Sequence, residues 1–395
     1  MPKQRILIVT ELYPYPGNIY LGTFITQQLD VLKEYYDITV LTVYPEFLKF
    51  KNNQPPFSRQ EKGLTVISLS HNPLWILGLG VLRIPVSLRT YINKQLTRRR
   101  LHRVAQKLHA DQPFDLVHGH ETYFGDEAGP IGKKLGIPSV FTLHSFYYYH
   151  EKIFGKYVTR LALNNLLLCN HYICVSTIAA ETYIKKGLER NKFSIIPNGI
   201  TPEHIIRPNQ KIVDFAKGRK VLLSVGYISE DKRFDISIRV LAQLRDQETV
   251  LVIVGIGMYK KKLQNLADSL HCGERIFWLG AVEPNLMFKV YQAADFLIHP
   301  SMIDSFSMVC LEAMAQGKVT ICTTLIGICE FTRNEENIIM VPPNDVTAIV
   351  SAIKRLFSNP AEHKRIAANA YTFGTTMSWK HQVSSIVKIY NQLIT

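Results

Sequence analysis

Along this chain short continuous apolar runs alternate with stretches whose apolar residues are spaced as on one face of a helix, and polar or glycine-bearing loops separate the two. Residues 6–10 (ILIVT), 38–43, 64–70, 114–118, 138–143 and 173–176 have the length and apolar character of strands buried on both faces. Residues 24–35, 83–109 and 177–187 read as helices between them. From 201 to 220 the sequence turns polar, with Pro202 and Pro208, and this is the expected linker. The alternation then restarts, with strands at 221–225, 250–254, 276–280 and 295–300. Helices follow at 286–294, 308–315, 346–357, 361–371 and 379–393. Such alternation predicts an α/β chain of doubly wound parallel sheets. At ~100–200 residues per domain, two domains are expected, 1–205 and 206–375, with a terminal segment 376–395.

Composition changes this picture little, and charge changes it more. The hydrophobic fraction is 47%, yet no run approaches the ~20 apolar residues of a membrane span. The opening run is too short for a signal peptide and reads as a first strand. None of the six cysteines forms a C-x-x-C pair, which fits free thiols in a reducing cytoplasm. His118-Gly-His120 lacks a third ligand nearby, so no metal site is expected.

Lysine and arginine number 46 against 32 acids, a net charge of +14. Arg83, Arg89, Lys94, Arg98, Arg99, Arg100, Arg103 and Lys107 occur with no acid among them, just after the apolar segment 73–82 that contains Trp75. That pairing suits an anionic membrane surface; a solvated basic helix is the alternative. No nucleic-acid motif is present, so no nucleic acid partner is expected.

The candidate chemistry gathers where strands end. Residues 295–300 (DFLIHP) form a strand, 301–307 a polar loop and 308–315 a helix, so a helix N-terminus stands at the ligand edge of a parallel sheet. Asp304 lies on the loop and Glu312 about two turns downstream of it, so one can face a ligand at the helix mouth while the other reaches it from the helix side. Gly226 opens a second such loop carrying Lys232 and Arg233, and Gly255-Ile-Gly257 opens a third. Glycine at 22 precedes the first helix, and His120 and His144 end two strands of the first half. Each of these also has a plain reading: a turn glycine, a solvated charge, a satisfied histidine.

The order of these features resembles a known family. Asp304-x7-Glu312, followed by AMAQG at 313–317, Gly327 and Asn344-Asp345 after Pro342-Pro343, resembles the Glu-x7-Glu region of retaining nucleotide-sugar glycosyltransferases of the GT-B fold, family 4. The segments DLVHGHETYFGDEAG, SIIPNGI, the loop 226–235 and IFWLG at 276–280 match other parts of that family in order.

The resemblance implies two Rossmann-like domains facing across a cleft, with the last helix crossing back to the first. It implies a UDP- or GDP-sugar co-substrate, no other cofactor and no metal. Glu312 would bind the ribose. Lys232, with the amides of Ser307 and Met308 and with Val309 beside them, would bind the diphosphate. Asp304 would meet the donor sugar, and His120 would approach it from the other domain. Gly22, Gly226 and Gly255 would line the ligand, and Val282 would meet the base. Three departures stand out: Asp304 in place of glutamate, Ser305 and Ser307 in place of glycines, and Tyr227 in place of a phosphate-binding arginine, with Arg233 as a neighbouring cation. The expected acceptor is a glycan or a lipid-linked molecule, in surface polysaccharide or glycolipid synthesis on the inner face of the plasma membrane. A catalytically silent GT-B binding subunit and a nucleotide-sugar epimerase are the alternatives.

Overall fold

The computed structural model describes residues 3–15, 21–45, 57–71, 86–121, 123–147, 151–152, 155–201, 207–245 and 247–394. The apolar segment at Trp75, Arg83, and parts of the first loop and of the aromatic stretch after Phe146 lie outside them. The chain divides into two compact units, one of Met1–Gly199 with Trp379–Thr395 and one of Ile200–Ser378. The first break, after Gly199, falls immediately before the polar linker read from the sequence.

The N-terminal unit runs β1 (Arg5–Thr10), α1 (Thr23–Leu32), β2 (Asp37–Pro45), β3 (Phe57–Glu61), β4 (Leu64–His71), α2 (Val86–Asp111), β5 (Leu116–His120), α3 (Ala128–Leu135), β6 (Ser139–Leu143), α4 (Lys156–Leu166), β7 (His171–Cys174), α5 (Thr177–Ile184) and β8 (Phe193–Ile195). Its sheet has the order β3-β4-β2-β1-β5-β6-β7-β8. All pairs are parallel except β3 with β4. Strand β3 is absent from the sequence reading because FSRQE has no apolar run. The hairpin is made instead by Lys62-Gly63, whose φ values of 49° and 80° match a tight turn with the twist of the flanking strands.

The C-terminal unit runs α6 (Gln210–Ala216), β9 (Lys220–Val225), α7 (Phe234–Leu244), β10 (Thr249–Val254), α8 (Lys260–Ser269), β11 (Ile276–Gly280), α9 (Met287–Gln292), β12 (Phe296–His299), α10 (Met308–Ala315), β13 (Val319–Thr323), β14 (Ile339–Val341), α11 (Val346–Ser358) and α12 (Pro360–Thr376). Its six-stranded sheet, β11-β10-β9-β12-β13-β14, is parallel throughout. Strands such as TVLVIV are buried at every position, which is why they read as unbroken apolar runs.

The last helix, α13 (Trp379–Ile394), belongs to the N-terminal unit. It places Trp379, Val383, Ile386, Ile389 and Tyr390 in the core that also holds Ile25 and Leu29 of α1. At about 1.5–3 kcal/mol for each fully buried large side chain, this face is enough to hold the helix there. Trp379 Nε1 also donates to Gln27 Oε1 at 3.2 Å, and Tyr390 OH hydrogen-bonds His118 Nδ1 on β5.

Candidate functional site

Among the parallel strands of each sheet the order reverses once, and ligands of open α/β sheets bind outside the strand ends at such a point. In the C-terminal unit the reversal lies between β9 and β12. The loop after β9 carries Lys232, and the loop after β12 carries Asp304 and Ser307. These loops are tied together: Met302 N donates to Asp231 O at 2.9 Å, and Lys232 Nζ to Asp304 Oδ2 at 3.0 Å. The segment after β13 braces them, with Gly327 N donating to Asp304 O at 3.0 Å and Ile328 N to Phe306 O at 2.9 Å.

His299, the last residue of β12, completes the group and was read from the sequence only as part of a buried strand. Its Nε2 lies 3.1 Å from Asp304 Oδ2 and 3.3 Å from Ser307 Oγ. Burial lowers the histidine pKa, more than the Asp304 contact raises it. Burial opposes the charge on Asp304, but the Lys232 ammonium and the His299 hydrogen bond outweigh it and hold the carboxyl well below its usual range. Lys232 is pushed up, because the Asp304 contacts outweigh the burial that disfavours its charge. The group is therefore an ionised pair oriented by a neutral imidazole, whose Nε2–H donates to the carboxylate.

Helix α10 starts at this group. Ser307 is its N-cap, with its side chain accepting from Cys310 N at 3.4 Å and its φ at 82°. A serine in the left-handed region is strained by ~1–3 kcal/mol, and the family-like glycine would avoid that. Met308 and Val309 are half-buried in the first turn, where N–H groups have no intrahelical acceptor.

Glu312, the fifth residue of α10 and just over one turn in, accepts a hydrogen bond from Tyr291 OH on α9 at 2.7 Å. Burial pushes its carboxyl up to about 7, and the tyrosine bond pulls the other way. Tyr291 is itself fully buried. It escaped the sequence reading because α9 reaches α10 only through tertiary packing.

Other expected residues fall less simply. Gly226 lies just past β9, and Val282 lies half-buried just past β11. Gly255 has a structural reason of its own: its φ is 138°, and a Cβ there would stand 1.9 Å from Gly226 O. Its bareness thus serves the packing of the two loops on each other. Arg233, the cation expected beside Tyr227, is paired within its own unit. Its Nε and Nη2 lie 2.9 and 3.0 Å from the two oxygens of Asp235, and Nη1 donates to Asn344 Oδ1, while Tyr227 is 57% exposed.

In the N-terminal unit the reversal lies between β1 and β5, and His120 ends β5 there. His120 is fully buried and stacked on His144, with Nδ1 3.1 Å from His144 Nε2. Burial, then His118 and His144, hold its pKa well below normal, so the ring is neutral. Its Nε2 is buried with no hydrogen-bond partner among the described residues, an uncommon state outside functional sites. Gly22, the N-cap of α1, has φ 62°, and a Cβ would meet Leu12 O at 2.0 Å. Like Gly255, it is bare because backbone passes against it.

Part of the charge of the basic helix α2 is paired. Lys94, fully buried, pairs with Asp126 at 2.7 Å, and Arg98 and His102 both reach Glu127 Oε2, at 2.8 and 2.7 Å. The acids lacking in that stretch come from the turn before α3. Arg99, Arg103 and Lys107 remain exposed. Among the described residues no group of three histidine, cysteine or acidic side chains could hold a metal ion, and no helix is long and apolar enough to cross a membrane.

With two largely parallel sheets, a reversal point in each, and a helix N-terminus at one of them, the chain has the layout of a GT-B glycosyltransferase. Residues 206–373 match the family model described as glycosyl transferases group 1, and residues 58–204 match that of glycosyltransferase family 4. The chain belongs to the group 1 glycosyltransferases. It is 26% identical over 298 residues to an uncharacterized glycosyltransferase of Methanocaldococcus jannaschii, covering 74% of this chain and 79% of that one. It is 23% identical over 374 residues to the D-inositol 3-phosphate glycosyltransferase of Stackebrandtia nassauensis, covering 87% and 81%. Its fold is shared with Anabaena HepE, solved in complex with UDP and glucose, at a TM-score of 0.75 and 19% identity over 99% of this chain and 100% of that one.

Proposed function

We propose that the chain is a retaining glycosyltransferase that moves a sugar from a nucleotide-sugar donor, of the UDP type, to a glycan or lipid-linked acceptor. The observation that carries this is the Lys232–Asp304–His299 group at the mouth of α10, with Glu312 just over one turn into the helix. Departure of the sugar leaves charge on a diphosphate. Lys232 and the first amides of α10 are donors for that charge, and one such preorganised donor contributes on the order of 3 kcal/mol to the transition state. The chain's own cations and amides take this role, so the reading needs no divalent ion.

Each acid keeps an oxygen for the ligand. Tyr291 occupies Oε2 of Glu312, and Oε1 is assigned to a ribose hydroxyl. Lys232 and His299 both engage Oδ2 of Asp304, and Oδ1 is assigned to the donor sugar. A diphosphate would compete with Asp304 for Lys232, so donor binding would loosen that pair and leave the carboxylate, still held by His299, for the sugar. Nε2 of His120 is assigned to a sugar hydroxyl. Retention would follow from a front-side path, with the leaving diphosphate taking the acceptor's proton.

The exposed Arg99, Arg103 and Lys107 of α2, with Lys134 of α3, support binding at an anionic membrane surface on the cytoplasmic side. Part of this face borders a cavity of about 350 Å³. A role in surface polysaccharide or glycolipid synthesis belongs to the same reading. The test is a panel of nucleotide sugars, with consumption followed by mass spectrometry and product anomeric configuration by NMR. Retained configuration supports the reading; inverted product would overturn it.

A further inference from the structure

Three thiols lie beneath the donor loop, and the glycosyl-transfer reading uses none of them. Cys310 is in the first turn of α10, Cys322 on β13, and Cys329 in the short turn after it. Cys310 and Cys322 are fully buried, whereas Cys329 is only half-buried. Cys322 Sγ and Cys329 Sγ are 3.8 Å apart, and Cys329 Sγ also lies 3.4 Å from Thr323 O.

We propose that Cys322 and Cys329 form a site of reversible oxidative modification, closing to a disulfide in the presence of a peroxide and thereby weakening the donor site. The hydrogen bond from Cys322 holds the Cys329 thiol below its ordinary value, which favours the thiolate at the partly exposed position. The Cys329 thiolate attacks one peroxide oxygen, the O–O bond breaks and hydroxide leaves, giving a sulfenic acid. Cys322 Sγ then attacks that sulfur, the S–O bond breaks, and water leaves with the Cys322 proton. The peroxide is reduced and the two thiols are oxidised.

The consequence for the donor site rests on the proposed function; the modification does not. A disulfide needs the sulfurs at about 2.05 Å, so one side must move. Cys322 is fixed in the sheet between β12 and β14, and the movement falls on the turn Gly327–Glu330. That turn is the brace of the donor loop, since Gly327 N holds Asp304 O and Ile328 N holds Phe306 O. Closing the disulfide therefore shifts Asp304 relative to Lys232.

The experiment treats the full chain with hydrogen peroxide, alkylates the remaining thiols and digests with trypsin. Cleavage after Lys318 and Arg333 leaves both thiols in one peptide, 319–333. The internal disulfide makes it lighter by two hydrogens and unalkylated, whereas a Cys310–Cys322 bond would join two peptides. The expected result is the light peptide, restored by dithiothreitol, with UDP affinity reduced about tenfold while oxidised. Cys329→Ser and, separately, Cys322→Ala should keep the reduced protein's UDP affinity through the peroxide step. Peptide 319–333 alkylated at both cysteines after peroxide would overturn the proposal, as would the disulfide with UDP affinity intact. If reduced protein fails to bind UDP, the donor-site reading falls, and the peptide mass alone then decides the disulfide.

Discussion

Tyr291 OH donates to Glu312 Oε2 at 2.7 Å, joining a fully buried tyrosine of α9 to the acid that the sequence pattern marks as a nucleotide ligand. The bond fixes the carboxylate's orientation and opposes the burial that raises its pKa to about 7. Tyr291→Phe removes that opposition, so a larger fraction of Glu312 is protonated at neutral pH. UDP affinity should fall severalfold at pH 7, by the ~1–3 kcal/mol of a hydrogen bond to a charged group at most. Calorimetric titration across pH checks it: the deficit should shrink at alkaline pH, where Glu312 is ionised in both proteins. An equal deficit at every pH would make the tyrosine a packing residue only.

Glu312 also sets a pH dependence of stability. Its carboxyl rises from 4.5 to about 7 on folding, so between those values the folded chain binds more protons than the unfolded one. The contribution of this residue to stability therefore falls as pH rises through that window. Glu312→Gln should raise the melting temperature near ~pH 8, by about 2–4 °C for each kcal/mol recovered, and change it little near ~pH 5. The same variant should lose UDP affinity, because an amide cannot accept as a carboxylate does. A protein both stabilised and weakened in binding is the signature of a carboxylate kept for a ligand.

Lys232 and Asp304 separate by chemistry. Lys232→Ala removes a diphosphate donor and should lower turnover ~10²–10³-fold with every donor sugar. Asp304→Glu should change turnover while leaving UDP affinity nearly intact, since the proposed ribose and base contacts lie elsewhere. Lower turnover would mean that the native aspartate is fitted to its sugar. Kinetics on one established donor give both answers, and a variant at Asp304 with unaltered turnover would remove it from the sugar's contacts.

Both sheets were legible because strands buried on two faces must be apolar throughout, as TVLVIV at β10 is. The spacing of Asp304 and Glu312 was legible because one loop and one helix set it, whereas Lys232, on the loop after β9, was matched only through the resemblance and meets Asp304 in three dimensions. Tyr291 was hidden because its partner Glu312 is reached only by packing of α9 against α10, and His299 because it closes a buried apolar strand and meets Asp304 and Ser307 only once the loop folds back over it. The glycines at 22 and 255 were visible as glycines, yet the atoms they accommodate, Leu12 O and Gly226 O, appear only in three dimensions. In the same way, the acid-free run of α2 hid Lys94 and Arg98, whose partners Asp126 and Glu127 lie some thirty residues on.

That pairing sharpens the membrane prediction. Arg99→Glu with Arg103→Glu should weaken sedimentation with anionic vesicles by ~1 kcal/mol or more per cation, and the wild type should lose binding as salt rises. Equal sedimentation with neutral and anionic vesicles would give this face another purpose.

The central claim is that the mouth of α10 holds the diphosphate of a nucleotide sugar, and titration of UDP and GDP into the full chain and its Lys232→Ala and Glu312→Gln variants tests it directly. Saturable binding of UDP in preference to GDP, weakened in both variants, is the predicted result; wild-type protein that binds neither nucleotide, or variants that bind as the wild type does, would contradict it.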